Sequence, residues 1–199
     1  MGAVTLPPSL ATTDVLGAVH TFITQFAQIP GVPELKPSNI LRGWEALSTI
    51  PAVAEACIIT LLQTIRHGFD ASFFVPNSDP AALSELSLEK LSEYVVQVDF
   101  VGLAHAIAPD VTLRRATQVE MVANSIYSPG IFSRIAPGLS CLYCEGVQSL
   151  GEIGGDSSIK HRHILTLHLS GVQQTRLPVS TFDGVSLHIE DAIEHHKHD

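Results

Sequence analysis

A histidine-containing stretch late in the chain, Lys160–Ser170 (KHRHILTLHLS), has the residue types and spacing that acid/base or metal chemistry requires. The stretch is predicted to be a β-strand, in which alternate side chains lie on the same face. His161 and His163 are therefore expected on one core-facing row, whereas His168 is expected on the opposite face. The leucines predicted to share that core-facing row are Leu165, Leu167 and Leu169. Two imidazoles on one row can exchange protons with a substrate or bind one divalent metal ion.

A divalent metal ion held by His161 and His163 would need a third ligand, and the sequence offers His188, Glu152 and His105 for that position. No other cofactor is expected. The alternative interpretation of the pair is structural. The predicted strand begins just after a polar loop, so both rings would be hydrated at its open end, and histidine is intermediate in its preference for burial.

His105 is the third residue predicted to take part in acid/base chemistry. It continues the apolar side of a helix predicted over residues 87–108, three residues after Gly102. Burial keeps an imidazole neutral, so His105 in a dry pocket could act as a second general base. The alternative is a core histidine that is hydrogen-bonded to a backbone carbonyl.

The Cys141-x-x-Cys144 motif is predicted to be structural. In a strand, two side chains three residues apart lie on opposite faces, so these sulfurs could not form a disulfide. With three cysteines in the chain, any pairing leaves one thiol over. We therefore expect no disulfide framework and predict a reducing, cytoplasmic location.

Composition limits the classes of function. The 199 residues are 45% hydrophobic and 16% charged, which predicts a folded chain, and the formal net charge of −9 argues against nucleic acid as a partner. No apolar run approaches the roughly 20 residues of a membrane span, so none is expected. The sequence also lacks a phosphate-binding glycine loop, a G-x-S-x-G elbow and an H-E-x-x-H helix, which disfavours phosphoryl transfer, dinucleotide binding and classical serine hydrolysis.

The pattern of apolar residues predicts an α+β fold in which a helical N-terminal two thirds packs on a C-terminal antiparallel β-meander. A single domain, residues 1–199, is expected to comprise an N-terminal arm at 1–12, a mainly helical part at 13–135, a mainly strand part at 139–190 and a solvated tail at 191–199. The helices are predicted from Thr13 or Asp14 to Phe26, then over residues 38–47, 51–67, 87–108 and 110–128. Short strands are predicted over residues 71–75, 139–150, 159–172, 176–182 and 185–189.

These features predict a small-molecule enzyme that uses His161, His163 and His105 for acid/base chemistry on a compact apolar metabolite. The reaction would be that of a lyase or isomerase, such as a dehydratase, isomerase, cyclase or decarboxylase. The alternative is a non-catalytic ligand-binding protein, or an oligomeric interaction protein that contacts a partner or a second copy of itself. A carrier of lipid or pigment is a third possibility. The partners expected are a small-molecule ligand and, in the oligomeric case, other copies of the chain.

Overall fold

The computed structural model of the chain describes residues 12–43, 55–75, 84–103, 109–150 and 159–179. His105, Glu152, His188, the N-terminal arm, the tail and the strand predicted at residues 185–189 lie outside these ranges. The elements in chain order are helix α1 (Thr12–Phe26), a 3₁₀ turn (Pro37–Asn39), β1 (Ile40–Arg42), β2 (Glu55–Val75), β3 (Ser84–Leu103), α2 (Pro109–Ala123), α3 (Ser128–Ile135), β4 (Leu139–Cys144), β5 (Gln148–Leu150) and β6 (Ile159–Val179).

The predicted division into a helical N-terminal two thirds and a C-terminal meander is wrong. Most of residues 51–67 and 87–108, predicted as helices, belong to the long strands β2 and β3. Their apolar residues recur at helix-like intervals because both faces of each strand carry apolar side chains; in β3, for example, the consecutive residues Tyr94, Val95 and Val96 are all buried. Their many β-branched residues favour strands instead.

Two other boundaries also differ from the predictions. Residues 38–47 were expected to form a short helix, but the chain makes a 3₁₀ turn at Pro37–Asn39 and then enters β1. The segments predicted as two strands at 159–172 and 176–182 are joined in one strand, β6, which ends at Val179. The meander expected at the C-terminal end is therefore part of a larger mixed sheet.

The helix predicted to begin at Thr13 or Asp14 is confirmed as α1, and the one predicted from Asp110 is confirmed as α2. The α1 residues Val15, Val19, Phe22 and Ile23 are all fully buried. In α2 the buried side is partly mispredicted. Leu113 and Ile126 lie on the apolar side of the helix predicted over residues 110–128, but they are 39% and 87% exposed. Arg115 is buried instead, and Ile126 lies after the last residue of the helix.

The strands form one sheet in the order β1-β2-β3-β6-β4, and β5 also pairs with β6. β1 is parallel to β2, and every other pairing is antiparallel. All three helices pack on one face of this sheet, called the inner face, and the opposite face is called the outer face. The core residues of the inner face are Cys57, Ile59, Tyr94, Val96, Val98, Phe100, Leu165, Leu167 and Leu169. Val95 and Val101 on the outer face are buried too but do not belong to this core.

The three longest strands continue together past the core. Residues 63–75 of β2, 84–93 of β3 and 170–179 of β6 form one paired segment, and none of the side chains that the structure describes in it belongs to the hydrophobic core. This three-stranded segment is called the extension. At about 3.3 Å per residue, ten residues of β3 span roughly 30 Å. On its outer face Gln174 Nε2 donates hydrogen bonds to Ser87 Oγ and Glu89 Oε1, over 2.9 and 2.8 Å.

Apart from Ser170 and Gly171, which pair with β4, both edges of the extension lack a strand partner among the described residues. β1 pairs only with residues 57–59 of β2, and β4 and β5 pair with β6 between Arg162 and Gly171. The remaining lengths of β2 and β6 therefore present backbone N–H and C=O groups that no described strand satisfies. Such edges are templates for pairing with another chain.

Candidate functional site

The structure places His161 and His163 near the start of β6, opposite Gly102 and Phe100 of β3. His163 is 8% exposed and lies in the inner row that continues through Leu165, Leu167 and Leu169, whereas His161 is only half-buried. The alternation predicted for this strand is thus observed. The two rings have different surroundings, because His161 is nearer the end of the paired region.

Ser149 of β5 lies opposite His163, and a hydrogen bond joins Ser149 Oγ and His163 Nδ1 over 3.0 Å. This contact links the short strand β5 to β6. Among the residues that the structure describes, no group of three or more His, Cys, Asp or Glu side chains is arranged to hold a metal ion. A metal ion at His161 and His163, and acid/base roles for these residues and His105, stay predictions.

Among the described residues, four ionisable side chains in contact with one another lie on the outer face, where no site was predicted from the sequence. His168 Nδ1 is 2.6 Å from Glu93 Oε1, and His168 Nε2 is 3.2 Å from Glu145 Oε1. The other oxygen of Glu93, Oε2, is 2.9 Å from His67 Nε2. The resulting chain Glu145–His168–Glu93–His67 is called the His–Glu chain.

The His–Glu chain crosses three strands and reaches the fourth. His67 is on β2, Glu93 on β3 and His168 on β6, while Glu145 directly follows β4. The ring of Tyr143, in β4, stacks on the His168 ring with 4.1 Å between centroids and 13° between planes. His168 is 8% exposed, whereas the side chains of Glu145 and His67 are about half exposed. The central ring is therefore enclosed, and both ends of the chain reach solvent.

Hydrogen bonds and desolvation shift the pKa values of two groups in this cluster. The hydrogen bond from His168, followed by that from His67, lowers the pKa of the Glu93 carboxyl below 4.5. Desolvation, with the negative charges of Glu93 and Glu145, raises the pKa of the Tyr143 hydroxyl. Each ring nitrogen of His168 faces a carboxylate oxygen, and an imidazole donates from both nitrogens only when it is doubly protonated. The His168 ring thus lies between two carboxyl groups, those of Glu93 and Glu145.

A second polar group lies further along the outer face. Arg162 Nε donates to Asp99 Oδ1 over 2.8 Å, and Gln97 Nε2 donates to Asp99 Oδ2 over 2.7 Å. Asp99 is only 3% exposed, so this carboxylate is buried with its partners. Arg162 on β6 and Asp99 on β3 thus form an ion pair across neighbouring strands.

Two open clefts lie on the helical side, away from these histidines. One, of about 600 Å³, is lined by residues of α1 and α3, including Phe26, Ile131 and Arg134. The other, of about 520 Å³, lies between α2 and the segment after α1 and is lined by Ile29, Leu113 and Met121 among others. Neither cleft contains a histidine.

The Cys141-x-x-Cys144 motif is not arranged as expected. A register shift between Cys141 and Tyr143 adds a residue to β4, so both cysteines lie in the core on the inner face. They and Cys57 are nevertheless free thiols. Burial is the main cause that raises the pKa of each thiol, to about 12 for Cys144. Such thiols are poor nucleophiles at neutral pH.

The sequence offered only weak signals for the His–Glu chain. His168 and Glu93 are 75 residues apart and come into contact only through the pairing of β3 with β6. Glu93 lies in the segment predicted as a helix over residues 87–108, and a helix there would not pair it with the strand that carries His168. The alternation of β6 did show that His168 shares a face with other polar residues, such as Arg162 and Thr166.

Comparison with models of known protein families and with curated proteins gave no match for this sequence. Among the described residues, no helix is both long and apolar enough to cross a membrane.

Proposed function

We propose that the protein is an assembly subunit, whose copies associate with one another through the extension of the sheet. The observation that carries this proposal is the combination of two edges that no described strand pairs with and exposed aromatic side chains on the same segment. Phe73 and Phe74, near the end of β2, are 47% and 55% exposed, and Leu91 of β3 is 50% exposed.

Consecutive residues of a strand point to opposite faces, so Phe73 and Phe74 expose a ring on each face of the extension. Natural sheets usually protect an edge with a short strand, a charge or a cover. An extended edge with exposed phenylalanines beside it is instead typical of an interaction surface. The described side chains of this segment contribute nothing to the hydrophobic core, and added strands would supply further packing.

The partner that fits best is a second copy of this chain. In the part of the chain that the structure describes, the outer edges of β2 and β6 in the extension are both unpaired and differ from each other. The β6 edge of one copy can therefore continue the sheet at the β2 edge of another. Residues Ser84 to Gly102 of β3 pair with β6 without a register shift. The opposite edge of β6 is therefore regular as well. A contact of this kind joins two different surfaces. Repeated contacts form a closed ring of copies when the rotation between neighbouring copies permits it.

The test is the mass of the full chain in solution, measured by light scattering and sedimentation over a range of micromolar concentrations. The wild type is expected to be oligomeric. Phe73→Lys and Phe74→Lys place a charge in the contact and should raise the dissociation constant at least about tenfold, as truncation of a central aromatic residue does in other interfaces. Tyr127→Lys is the matched control, because Tyr127 is 71% exposed on the helical side, and it should leave the mass unchanged. A monomeric wild type, or phenylalanine variants that associate normally, would refute the proposal.

A histidine-dependent enzyme is the second candidate, favoured by the buried position of His163 and its hydrogen bond to Ser149. A hydroxyl held by an imidazole is a common arrangement for proton transfer. Replacement of His161 and His163 by Gln should abolish turnover of a small apolar metabolite while circular dichroism stays unchanged. Full activity of the folded double variant would remove both residues from the mechanism.

A further inference from the structure

The cleft between α1 and α3 has an apolar wall that the hydrophobic core holds in place. The cleft measures about 600 Å³, and Phe26, Ile131 and Ile135 form its apolar wall. The ring of Phe22 lies 5.0 Å from that of Phe26 and 4.6 Å from that of Phe132, measured between centroids. Phe22 and Phe132 are fully buried, so close packing restrains the Phe26 ring at the edge of the core. A ring held in this way offers a surface on which an apolar ligand can pack.

The other wall of the cleft is polar and is formed by Thr21, Gln25 and Arg134. Arg134 Nε donates to the backbone carbonyl of Gly130, one helical turn earlier, over 3.2 Å. Among the residues that the structure describes, Nη1 and Nη2 of Arg134 and the side-chain amide of Gln25 have no hydrogen-bond partner. No carboxylate is found among the described lining residues either. The cleft therefore presents one uncompensated positive charge, with several N–H donors, beside an apolar wall.

We propose that this cleft binds a small monocarboxylic acid with an aromatic or branched apolar body. The carboxylate accepts hydrogen bonds from Arg134 and Gln25, and the apolar body packs on Phe26 between Ile131 and Ile135. A planar guanidinium donates to a carboxylate through two parallel, charge-assisted hydrogen bonds, which a neutral group of the same shape cannot match. The cleft volume lies within the range of about 300–1,000 Å³ that is typical of small-molecule sites.

The charge of the whole chain makes this local cation informative. The formal net charge is −9, so the protein as a whole repels anions, and an acid binds only where a cation lacks an acidic partner. Arg134 meets that condition within the described part of the chain. The inference concerns the helical side of the sheet and does not depend on self-association through the extension.

The cleft along α2 contains an arginine too, Arg114, but its other described side chains differ. Leu113 and Met121 in its lining are 39% and 70% exposed, and no aromatic side chain is among the described lining residues. The amide of Gln118 already donates to the carbonyl of Gln28 over 2.9 Å. This second cleft lacks the aromatic surface and the uncommitted amide, and it therefore serves as the comparison for the first.

The test compares the binding of 4-phenylbutyrate and of its uncharged amide, 4-phenylbutanamide, to the full chain at pH 7 by isothermal titration calorimetry. The two probes share the same apolar body and differ in charge. The wild type should bind the acid at least about tenfold more tightly than the amide, the difference expected for a hydrogen bond between charged groups. Arg134→Gln should remove most of this preference and leave the affinity for the amide unchanged. A merely structural role of Arg134 would instead weaken the binding of both probes.

Gln25→Glu is a second variant, at an exposed position of α1, and it adds a carboxylate to the cleft. This variant should bind the acid at least about tenfold more weakly than the wild type and the amide almost as well. Arg114→Gln is the matched control, because it makes the same change of charge in the other cleft, and it should keep the full preference for the acid. The proposal is overturned if the acid fails to bind the wild type at millimolar concentration, or if its preference over the amide survives Arg134→Gln. Loss of the preference in Arg114→Gln, or unchanged affinity of Gln25→Glu for the acid, would overturn it as well.

Discussion

The guanidinium of Arg115, which is fully buried in α2, lies 2.8 Å from Glu55 Oε1 at the start of β2. Its two other nitrogens, Nη1 and Nη2, donate to the backbone carbonyls of Ala27 and Pro33, each over 2.5 Å. One side chain thus joins α2, the sheet and the segment after α1. Burial raises the pKa of the Glu55 carboxyl more than Arg115 lowers it, so the carboxylate depends on this partner for its charge.

Arg115→Met is therefore expected to destabilise the protein by about 3–5 kcal/mol, because it leaves Glu55 and two carbonyls without their donor. The double variant Arg115→Met/Glu55→Leu, which removes both charges, should recover part of that loss. Urea unfolding, followed by circular dichroism, measures the free energy of unfolding of both variants. Arg114→Met, at the exposed neighbouring position, is the control and should change stability little. An Arg115→Met protein as stable as the control would contradict the anchoring role.

The pKa of Glu93 predicts how stability depends on acid. The folded pKa of this carboxyl is lowered below 4.5, so the unfolded chain binds the proton first as pH falls. The stabilisation by Glu93 is fully present at pH values above the pKa of this carboxyl in the unfolded chain. It is lost as pH falls through the pKa in the folded protein. Between pH 5 and pH 3 the wild type should lose more unfolding free energy than Glu93→Gln, measured by urea titration at each pH. Parallel losses in the two proteins would rule out this contribution.

The three cysteines should resist thiol reagents in the folded protein. All are buried, and the raised pKa of each thiol leaves almost no thiolate at pH 8. Labelling with a chromogenic disulfide should be slow in buffer and complete in denaturant, with three thiols released per chain. A thiol that reacts rapidly without denaturant would show that the core around β4 opens.

Gly43, directly after β1, should tolerate no side chain. A Cβ atom at this position would overlap the hydroxyl of Thr60 on β2. Gly43→Ala is expected to cost about 1–3 kcal/mol, the range for overpacking a close contact, and Thr60→Ala should relieve part of the cost in the double variant. Gly17→Ala is the control, because a Cβ there meets nothing within 4 Å and alanine stabilises a helix interior by about 0.5–1 kcal/mol. Additive effects of the Gly43 and Thr60 substitutions would argue against direct contact.

The sequence predicted α1 and the alternation of β6 correctly because each has a single buried face. In α1 the residues Val15, Val19 and Phe22 recur at the helical period, and in β6 Leu165, Leu167 and Leu169 recur at the strand period. One periodic row is enough to identify such an element. The direction of His163 followed from the same row.

β2 and β3 were predicted as helices because their apolar residues do not form a single row. In β3 the buried even-numbered row from Tyr94 to Phe100 is interleaved with Val95 and Val101, buried on the outer face. The alternation of Val96-Gln97-Val98-Asp99-Phe100 and the β-branched residues were signals for a strand. The register shifts of β2 after Leu61 and His67 had no recognisable sequence signal, and they alter which residues face inward.

The central position of β3 has a consequence for how the chain reaches this structure. β2 precedes β3 directly and can pair with it as a local hairpin, but β6 follows only after two helices and two short strands. Closing that long loop costs entropy before any contact is gained, so the last pairing should be the slow step of folding. Until β6 pairs with β3, one edge of β3 has no partner strand, and β6 of another molecule can pair with that edge instead. The yield of refolding should therefore fall steeply as protein concentration rises.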